Sequence, residues 1–422
     1  MGKKVWIINQ NSYLPEDGPH TRHYVIGKYL VRDGYEVFVF AGNELHHVGK
    51  RIDTGGNPYF EKIKDGVHFF YVKTHHYKKN DIHRIFNIVS FYTKMFSVAK
   101  EIEKKYGRPH IIYSSTNYPT ALLIGIKLAK KYDIKCISET RDIIPEGFIA
   151  KGTISANGVI AKFSRRFMKY VYEHSNALVF TMSGGKKYIS DMKWNTEAGG
   201  KIDLDTVYYI NNGVDREDFE KNAVQYSVDD PDLGENQIFK VVYFGSIRFL
   251  NNMSLYIDIA RVLKKKGKKN IKLLMWGTGS KVEQMKKKLK EEHLDNLILK
   301  GYVDKTQIPS IAKQADLFIG SGNSSSTDRY GSSFNKIFDY FAGGKPMIIL
   351  ATLSDSMIEN AGCGREMESN ASPEKVADEI IRFSEMSKCE YTKYCENSLA
   401  MADTYDYKRL SKMVEEVINK LI

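Results

Sequence analysis

The stretch YGSSFNKIFDYFAGGKPMII, from Tyr330 to Ile349, decides the fold class. A Gly-Ser-Ser turn can cap a helix that begins near Phe334, and Ile337, Phe338 and Phe341 fall on one face at helical spacing. Gly-Gly-Lys-Pro then stops the helix ahead of a short apolar strand, PMIIL (346–350). A helix that stops and turns into an apolar strand is half of a βα unit around a parallel sheet. One residue departs from ordinary helix chemistry. Lys336 lies in the first turn, where a cation opposes the helix dipole unless a bound anion compensates it. The free N–H groups at that end form an anion site that Gly331, Ser332 and Ser333 would shape. Asp339, one turn further, can accept hydrogen bonds from a sugar diol.

The same alternation extends in both directions. Strand-sized runs occur at KVWIIN (4–9), EVFVFAG (36–42), HIIYSS (110–115), KCISE (135–139), ALVFTMS (177–183) and VYYINNG (207–213). A second series follows a polar link: FKVVYFGS (239–246), IKLLMWG (271–277), LILKG (297–301), ADLFIGS (315–321) and PMIIL. Amphipathic stretches separate them, so the reading is an α/β chain of two doubly wound domains joined near 216–238. The expected division is 1–220 for the first domain and 221–400 for the second, with 401–422 a terminal helix that crosses back to the first. A length of 422 residues suits two cores of ordinary size. Ligands of such sheets sit beyond the carboxyl ends of the strands, which places the expected active site in the cleft between the domains.

Composition narrows the class. A 42% hydrophobic fraction with only strand-sized apolar runs predicts a globular chain without a membrane span, and MGKKVWIINQ reads as a first strand, not a secretory leader, so a cytoplasmic location is expected. Cys136, Cys363, Cys389 and Cys395 show no paired spacing, which argues against a disulfide framework or a zinc site. Lysine and arginine outnumber aspartate and glutamate 63 to 51, a formal charge of +12 that favours an anionic partner. Runs such as RVLKKKGKK and KVEQMKKKLKEE read as solvated helix faces.

Several loops carry candidate chemistry. The loop after the first strand, NQNSYLPEDGPHTR, is long for a βα connection and places Gly18 just ahead of a helix, where its backbone could approach an anion. Arg141 and Asp142 follow the KCISE strand directly, ahead of a proline that blocks helical continuation. Arg248, just beyond FKVVYFGS, has a planar fork that fits phosphate. Gly277 opens a G-T-G turn that lacks the full dinucleotide spacing and reads alone as a turn.

Taken in order, these landmarks resemble the GT-B glycosyltransferases, specifically glycosyltransferase family 4. INNGVD (210–215) resembles the family's P-N-G-V-D, VVYFGSI (241–247) its opening of the second domain, and LLMWGTGS (273–280) its glycine turn. LKGYVDKTQIPSIAKQADLFI (299–319) is similar to its following run, and FNKIFDYFAGGKPMII (334–349) to its nucleotide-binding helix. The family's Glu-x7-Glu motif is altered: the second glutamate, on the ribose, falls on Asp339, and the first, on the donor sugar, falls on Gly331. The form S-x-N-K-x-F-D-Y, with Asn335 before Lys336, is similar to a branch that makes bacterial surface polysaccharides, including transferases for N-acetylated 6-deoxy sugars. RDIIPE (141–146) fits that branch, and Arg141 falls where many relatives carry a histidine. The usual phosphate-binding Arg-x5-Lys pair is not intact, since Asn251 and Asn252 stand near the lysine position.

The resemblance implies transfer, with retention, of a sugar from a nucleotide-diphosphate donor, expected to be UDP-linked, without a metal or other cofactor. Gly18, Gly245, Arg248, Gly277, Ser332, Ser333, Asn335 and Lys336 would contact the donor, with Asp339 on the ribose. Arg141 and Asp142 would face the acceptor or the reacting carbon, and Arg248 and Lys336 would stabilise the departing diphosphate. The implied acceptor is a polyprenyl-linked saccharide, and nucleic acid is not an expected partner. HHYKKNDIHRIFNIVSFYTKMFSVAK (75–100) and KFSRRFMKYVYEHS (162–175) mix cations with large apolar residues in a way that suits peripheral membrane contact. Two alternatives stay open: a sugar-nucleotide epimerase of the same fold, and a non-catalytic subunit that binds a sugar nucleotide.

Overall fold

In the computed structural model, residues 2–46, 49–79, 81–116, 118–235, 237–247, 253–321, 327–331, 335–351 and 356–422 are described. The strands are β1 (Lys4–Ile8), β2 (Glu36–Gly42), β3 (Glu44–Leu45), β4 (Lys50–Arg51), β5 (Tyr59–Lys64), β6 (Val67–Val72), β7 (Ile111–Ser115) and β8 (Lys135–Thr140). They continue as β9 (Ala177–Phe180), β10 (Val207–Tyr209), β11 (Phe239–Phe244), β12 (Ile271–Trp276), β13 (Leu297–Gly301), β14 (Leu317–Ser321), β15 (Met347–Leu350) and β16 (Gly364–Met367). The chain divides into two compact units, Met1–Asn212 with Tyr330–Ser333 and Tyr407–Ile422, and Gly213–Arg329 with Phe334–Asp406.

The first unit holds a sheet of order β10-β9-β8-β7-β1-β2-β6-β5, parallel except for β5 against β6. β1 lies between β2 and β7, with Ile7 opposite Val39 on one side and Tyr113 on the other. Strand order reverses there, so the loops after β1 and β7 flank the switch point. Trp6, Phe40 and Phe70 pack with Phe91 and Met95 of the helix Ile82–Tyr106 and Leu122 of the helix Pro119–Tyr132. No helix among the described residues is long and apolar enough to cross a membrane.

The second unit holds an all-parallel sheet of order β13-β12-β11-β14-β15-β16, whose order reverses between β11 and β14. Both faces are covered. Val241 and Tyr243 belong to one cluster, with Tyr256 and Ile259, while Val242 and Phe244 belong to another, with Ile337 and Phe341. Successive side chains of a strand point to opposite faces, so a strand covered by helices on both sides reads as one apolar run.

The strands expected from the sequence are present; EVFVFAG and LILKG keep their ends, KCISE extends to Thr140, and the others are trimmed by one to four residues. The boundaries differ from the expected 220/221 and 400/401. The supposed link begins with an Asp215-capped helix, Arg216–Gln225, whose Phe219 is buried in the second unit's core. Val214 N–H bonds to the Tyr405 carbonyl, and Arg216 pairs with Asp403, so the chain already belongs to the second unit from Gly213 and stays there to Asp406. The returning helix is Tyr407–Asn419, which packs on the helix Arg22–Arg32 in the first unit. Strands β3, β4, β5, β6 and β16 were not anticipated.

Candidate active site

At the carboxyl end of β11, Gly245 has a φ of +141° and a Cβ there would lie 2.3 Å from Lys336 Cε and 2.6 Å from Nζ. The Lys336 side chain therefore crosses a space that only glycine leaves open. Its ammonium donates to Tyr243 Oη at 2.9 Å and stands 4.4 Å from the centre of the Tyr243 ring. Lys336 belongs to the helix Asn335–Gly343, in the first turn, as the sequence required. Among the described residues it has no carboxylate partner, and burial lowers its pKa to about 8.

Gly277, at the end of β12, completes the floor. A Cβ on it would fall 1.8 Å from the Gly245 carbonyl oxygen, and its φ is +152°. Gly245 N–H donates to Trp276 O at 2.9 Å and Gly277 N–H to Gly301 O at 2.7 Å, so the two glycine turns are tied edge to edge. Ser321, at the end of β14, accepts from Tyr256 Oη at 3.1 Å. Thus Lys336 and both glycines gather beside the point where the second sheet's order reverses. Asp339, one turn along the helix, has no ion-pair partner among the described residues, and burial raises its carboxyl to about 6 against the opposing charge of Lys305. It is still mostly ionised at pH 7 and able to accept two hydroxyl hydrogen bonds.

Arg248, Ser332 and Ser333 lie outside the described residues, as do Asn251 and Asn252. Asn335 is the exposed first residue of its helix. Gly331 has a φ of +87°, and a Cβ there would sit 2.7 Å from Ser183 Oγ. Its neighbour Tyr330 is buried against Tyr188 in the first unit and donates to Asp191 at 3.1 Å. The glycine is thus required by the backbone, and a glutamate at this position would be strained whatever the ligand.

In the first unit, Arg141 and Asp142 follow β8 as expected. Arg141 N–H donates to Thr116 Oγ1 at 2.9 Å, and Asp142 is exposed. Gly18 does not offer its N–H to an anion, because Leu14 O accepts it at 3.2 Å and the helix begins only at Arg22. A fully buried polar network, absent from the sequence reading, underlies this edge. Glu139 accepts from Arg22 at 2.8 Å and 2.7 Å, from Tyr113 Oη at 2.6 Å and from Ser115 Oγ at 2.6 Å, and His23 Nε2 lies 3.1 Å away. Arg22 also donates to the Asn211 and Ile210 carbonyls, at 2.6 Å and 3.0 Å. Burial alone would raise the Glu139 carboxyl, but Arg22, His23 and Arg141 override it and hold it well below the usual range. Burial lowers His23 in spite of the carboxylate beside it. The network clamps the ends of β7, β8 and the segment after β10 around the start of the first helix. The only advance signal was a carboxylate, Glu139, near the carboxyl end of the strand KCISET.

Residues 230–398 match the family model described as glycosyl transferases group 1. A comparison with curated proteins returned no match. Among solved structures, the chain is similar to sucrose-phosphate synthase from Thermosynechococcus elongatus, at 13% identity, 99% coverage of each chain and a TM-score of 0.69. Anabaena HepE in complex with UDP-glucose is 13% identical, with 99% of this chain and 100% of that chain covered and a TM-score of 0.63. Trehalose 6-phosphate synthase from Burkholderia multivorans is 11% identical, with 100% and 99% covered and a TM-score of 0.70. The chain therefore has the GT-B fold of two doubly wound units, and its residues 230–398 are similar to the glycosyl transferases group 1 family.

Proposed function

We propose that the protein is a retaining glycosyltransferase of family 4 type that moves a sugar from a UDP-linked donor to a polyprenyl-linked saccharide in bacterial surface-polysaccharide synthesis. The observation that carries this reading is Lys336, a partly buried cation without a carboxylate partner among the described residues, lying over Gly245 at the switch point of a group 1 domain. Such a charge is stable in place when a diphosphate docks against it and against the N-terminus of its helix. Asp339 then takes the ribose hydroxyls, and Asn335, Gly245 and Gly277 line the same edge. HepE, a structural neighbour, was solved with UDP and with UDP-glucose, which supports UDP as the nucleotide. Cationic side chains and helix N–H groups stabilise the leaving diphosphate, so no metal is invoked. Arg141, at the first unit's carboxyl edge, serves the acceptor or the reacting carbon, with Asp142 beside it.

A cytoplasmic enzyme at the inner membrane face accounts for two exposed apolar stripes in the first unit. Ile82, Ile85, Phe86 (49% exposed) and Val89 form one, on the helix Ile82–Tyr106. Val159, Ile160, Phe163 (69%) and Tyr170 form the other, on the helix Val159–Glu173 with Lys162, Arg166 and Lys169 among them. Both helices pack on Pro119–Tyr132, whose Lys127 donates to Tyr92 Oη at 2.6 Å. Apolar residues rimmed by cations suit an anionic lipid interface.

The test is incubation with a panel of UDP-sugars, N-acetylated ones included, with and without lipid-linked saccharide, in the presence of a chelator. UDP released only when the acceptor is present is the expected result. An isomerised donor would instead mark an epimerase, and donor binding without any turnover a non-catalytic subunit.

A further inference from the structure

Tyr330 belongs to the first unit's core, although the elements on either side of it in sequence belong to the second. β14 ends at Ser321 and the helix that carries Lys336 begins at Asn335, while Tyr330 and Gly331 count to the first unit. The connection between them, 322–334, is far longer than the roughly two to six residues usual between a strand and a helix of an α/β unit.

The seat of Tyr330 is built from side chains and backbone together. Its ring, 1% exposed, packs edge-on against Tyr188 at 5.3 Å, within the cluster that also holds Tyr172, Phe180 and Trp194. Its hydroxyl donates to Asp191 at 3.1 Å, and its carbonyl accepts from Gly184 N–H at 2.8 Å. The receiving turn, Ser183-Gly184-Gly185, fits this segment closely. A Cβ on Gly184 would lie 2.5 Å from Tyr330 Cα, and one on Gly331 would lie 2.7 Å from Ser183 Oγ. Glycine on both sides is what lets the two backbones touch.

The seat bears on the donor site through the chain. From Tyr330 to Lys336 the chain advances six residues, at most about 20 Å when fully extended. Fixing one end of so short a segment removes conformations that a ligand at the helix start would otherwise have to remove, which is preorganisation.

We propose that Tyr330 is a positioning residue for the donor: seated in the first unit, it restrains the chain ahead of Asn335 and so holds Lys336 where the diphosphate docks. The proposal rests on the transferase reading above, in which Lys336 meets the diphosphate. Tyr330 acts through the helix start and not by contact with the nucleotide, so the first unit contributes to donor affinity without supplying a donor contact there.

Titration calorimetry of the full chain with UDP, run as a double-mutant cycle, separates positioning from general stability. Tyr330→Phe, which keeps the ring and loses only the Asp191 bond, should weaken UDP about threefold, and Tyr330→Leu about tenfold. If Tyr330 acts through Lys336, the double variant Tyr330→Leu/Lys336→Met should bind UDP no more weakly than Lys336→Met alone. The fall in affinity between pH 7 and pH 9 should also be blunted in Tyr330→Leu, because the ammonium no longer meets the diphosphate squarely. Losses that add in the double variant, or an unchanged UDP affinity and pH profile in folded Tyr330→Leu, would overturn the proposal. Asp191→Ala breaks the same bond from the other side and covers the case in which Tyr330→Leu does not fold: it should match Tyr330→Phe, and unchanged UDP affinity in both would likewise overturn it. Lys336→Met keeps the two readings apart. UDP affinity unchanged in Lys336→Met rejects the donor assignment itself, whereas a loss there combined with additive losses in the cycle rejects the role of Tyr330 alone.

Discussion

The sharpest consequence of the second unit's geometry is the pH dependence of nucleotide binding. Burial sets the Lys336 pKa at about 8 in the unliganded protein. A diphosphate docked beside the ammonium favours the protonated form, so the pKa of the complex lies above that of the free protein. The affinity is then fully present below pH 8 and falls tenfold per pH unit above it, until the pKa of the complex is reached. Between pH 7 and pH 9 the protonated fraction of the free protein drops from nearly all to about a tenth, so UDP should bind about tenfold more weakly, roughly 1.4 kcal/mol. The phosphate's own last ionisation, near pH 6, is largely complete over this range and adds little. Lys336→Met removes a charge-assisted contact of roughly 1.5–3 kcal/mol and should weaken UDP by about 10–150-fold at pH 7 while abolishing the slope. Lys336→Arg, cationic throughout, should bind with a flat profile. Isothermal titration at closely spaced pH values reads all three. A wild-type affinity unchanged from pH 7 to pH 9, or the same slope in Lys336→Met, would refute the assignment of Lys336 to the diphosphate.

Other perturbations separate fold from site. In Gly245→Ala the new methyl meets the far end of a flexible side chain, so UDP binding should fall severalfold with modest loss of stability, whereas in Gly277→Ala it meets a backbone carbonyl and thermal unfolding should drop further. Glu139→Gln leaves Arg22 buried beside a neutral group, at a cost of about 3–5 kcal/mol, and a melting temperature lowered by roughly 6–20 °C would register it. Because the Glu139 carboxyl is held below its unfolded value, its contribution is fully present above about pH 4 and is lost as pH falls through the folded value; wild type should therefore lose stability in acid more steeply than Glu139→Gln. Phe86→Asp combined with Phe163→Asp should reduce co-sedimentation with vesicles containing anionic lipid while leaving UDP affinity unchanged, and undiminished vesicle binding would count against the apolar stripes as the contact surface.

What was legible in the sequence follows from how local each signal is. EVFVFAG is a buried strand and LILKG a half-buried one, both with the expected ends, because apolar runs that stop at a glycine need no distant information. YFEKIK escaped notice because β5 is an edge strand with its charged residues partly exposed, although Asp65-Gly66, both at positive φ, was a hairpin signal in plain view. Lys336 was found by a local argument, a cation at the wrong end of a helix. Its contact with Tyr243, 93 positions away, was not, and neither was the pairing of Arg22 with Glu139 across 117 positions, which only the strand order β8-β7-β1 creates. Gly331 was read as a lost glutamate; its positive φ and the proximity of Ser183 show a backbone requirement that no motif reveals.

The two carboxyl edges also differ in a way that separates structural charge from functional charge. A buried charge whose partner belongs to the fold is driven further into its ionised form: Glu139, enclosed by Arg22, Tyr113, Ser115 and His23, moves down. A charge whose partner has yet to arrive is governed by burial and moves toward neutrality, as Lys336 does at about 8 and, against the smaller opposing effect of Lys305, Asp339 does at about 6. Between Glu139 on one side and Lys336 and Asp339 on the other, the direction of the shift thus separates a completed ion pair from half of one, while His23, lowered by burial beside Glu139, does not follow it. On that criterion the Arg22–Glu139 network is a clamp that positions the first edge. Lys336 and Asp339 are the groups that wait for a ligand, and they call for opposite charges one helical turn apart: an anion at the first and hydroxyl donors at the second. A nucleoside diphosphate meets both demands, with its phosphates at the helix start and its ribose beyond. Inorganic diphosphate meets only the first. UDP should therefore lose affinity in both Lys336→Met and Asp339→Asn, whereas diphosphate should lose it in Lys336→Met alone; equal sensitivity of diphosphate to the Asp339 change would reverse the proposed orientation of the donor.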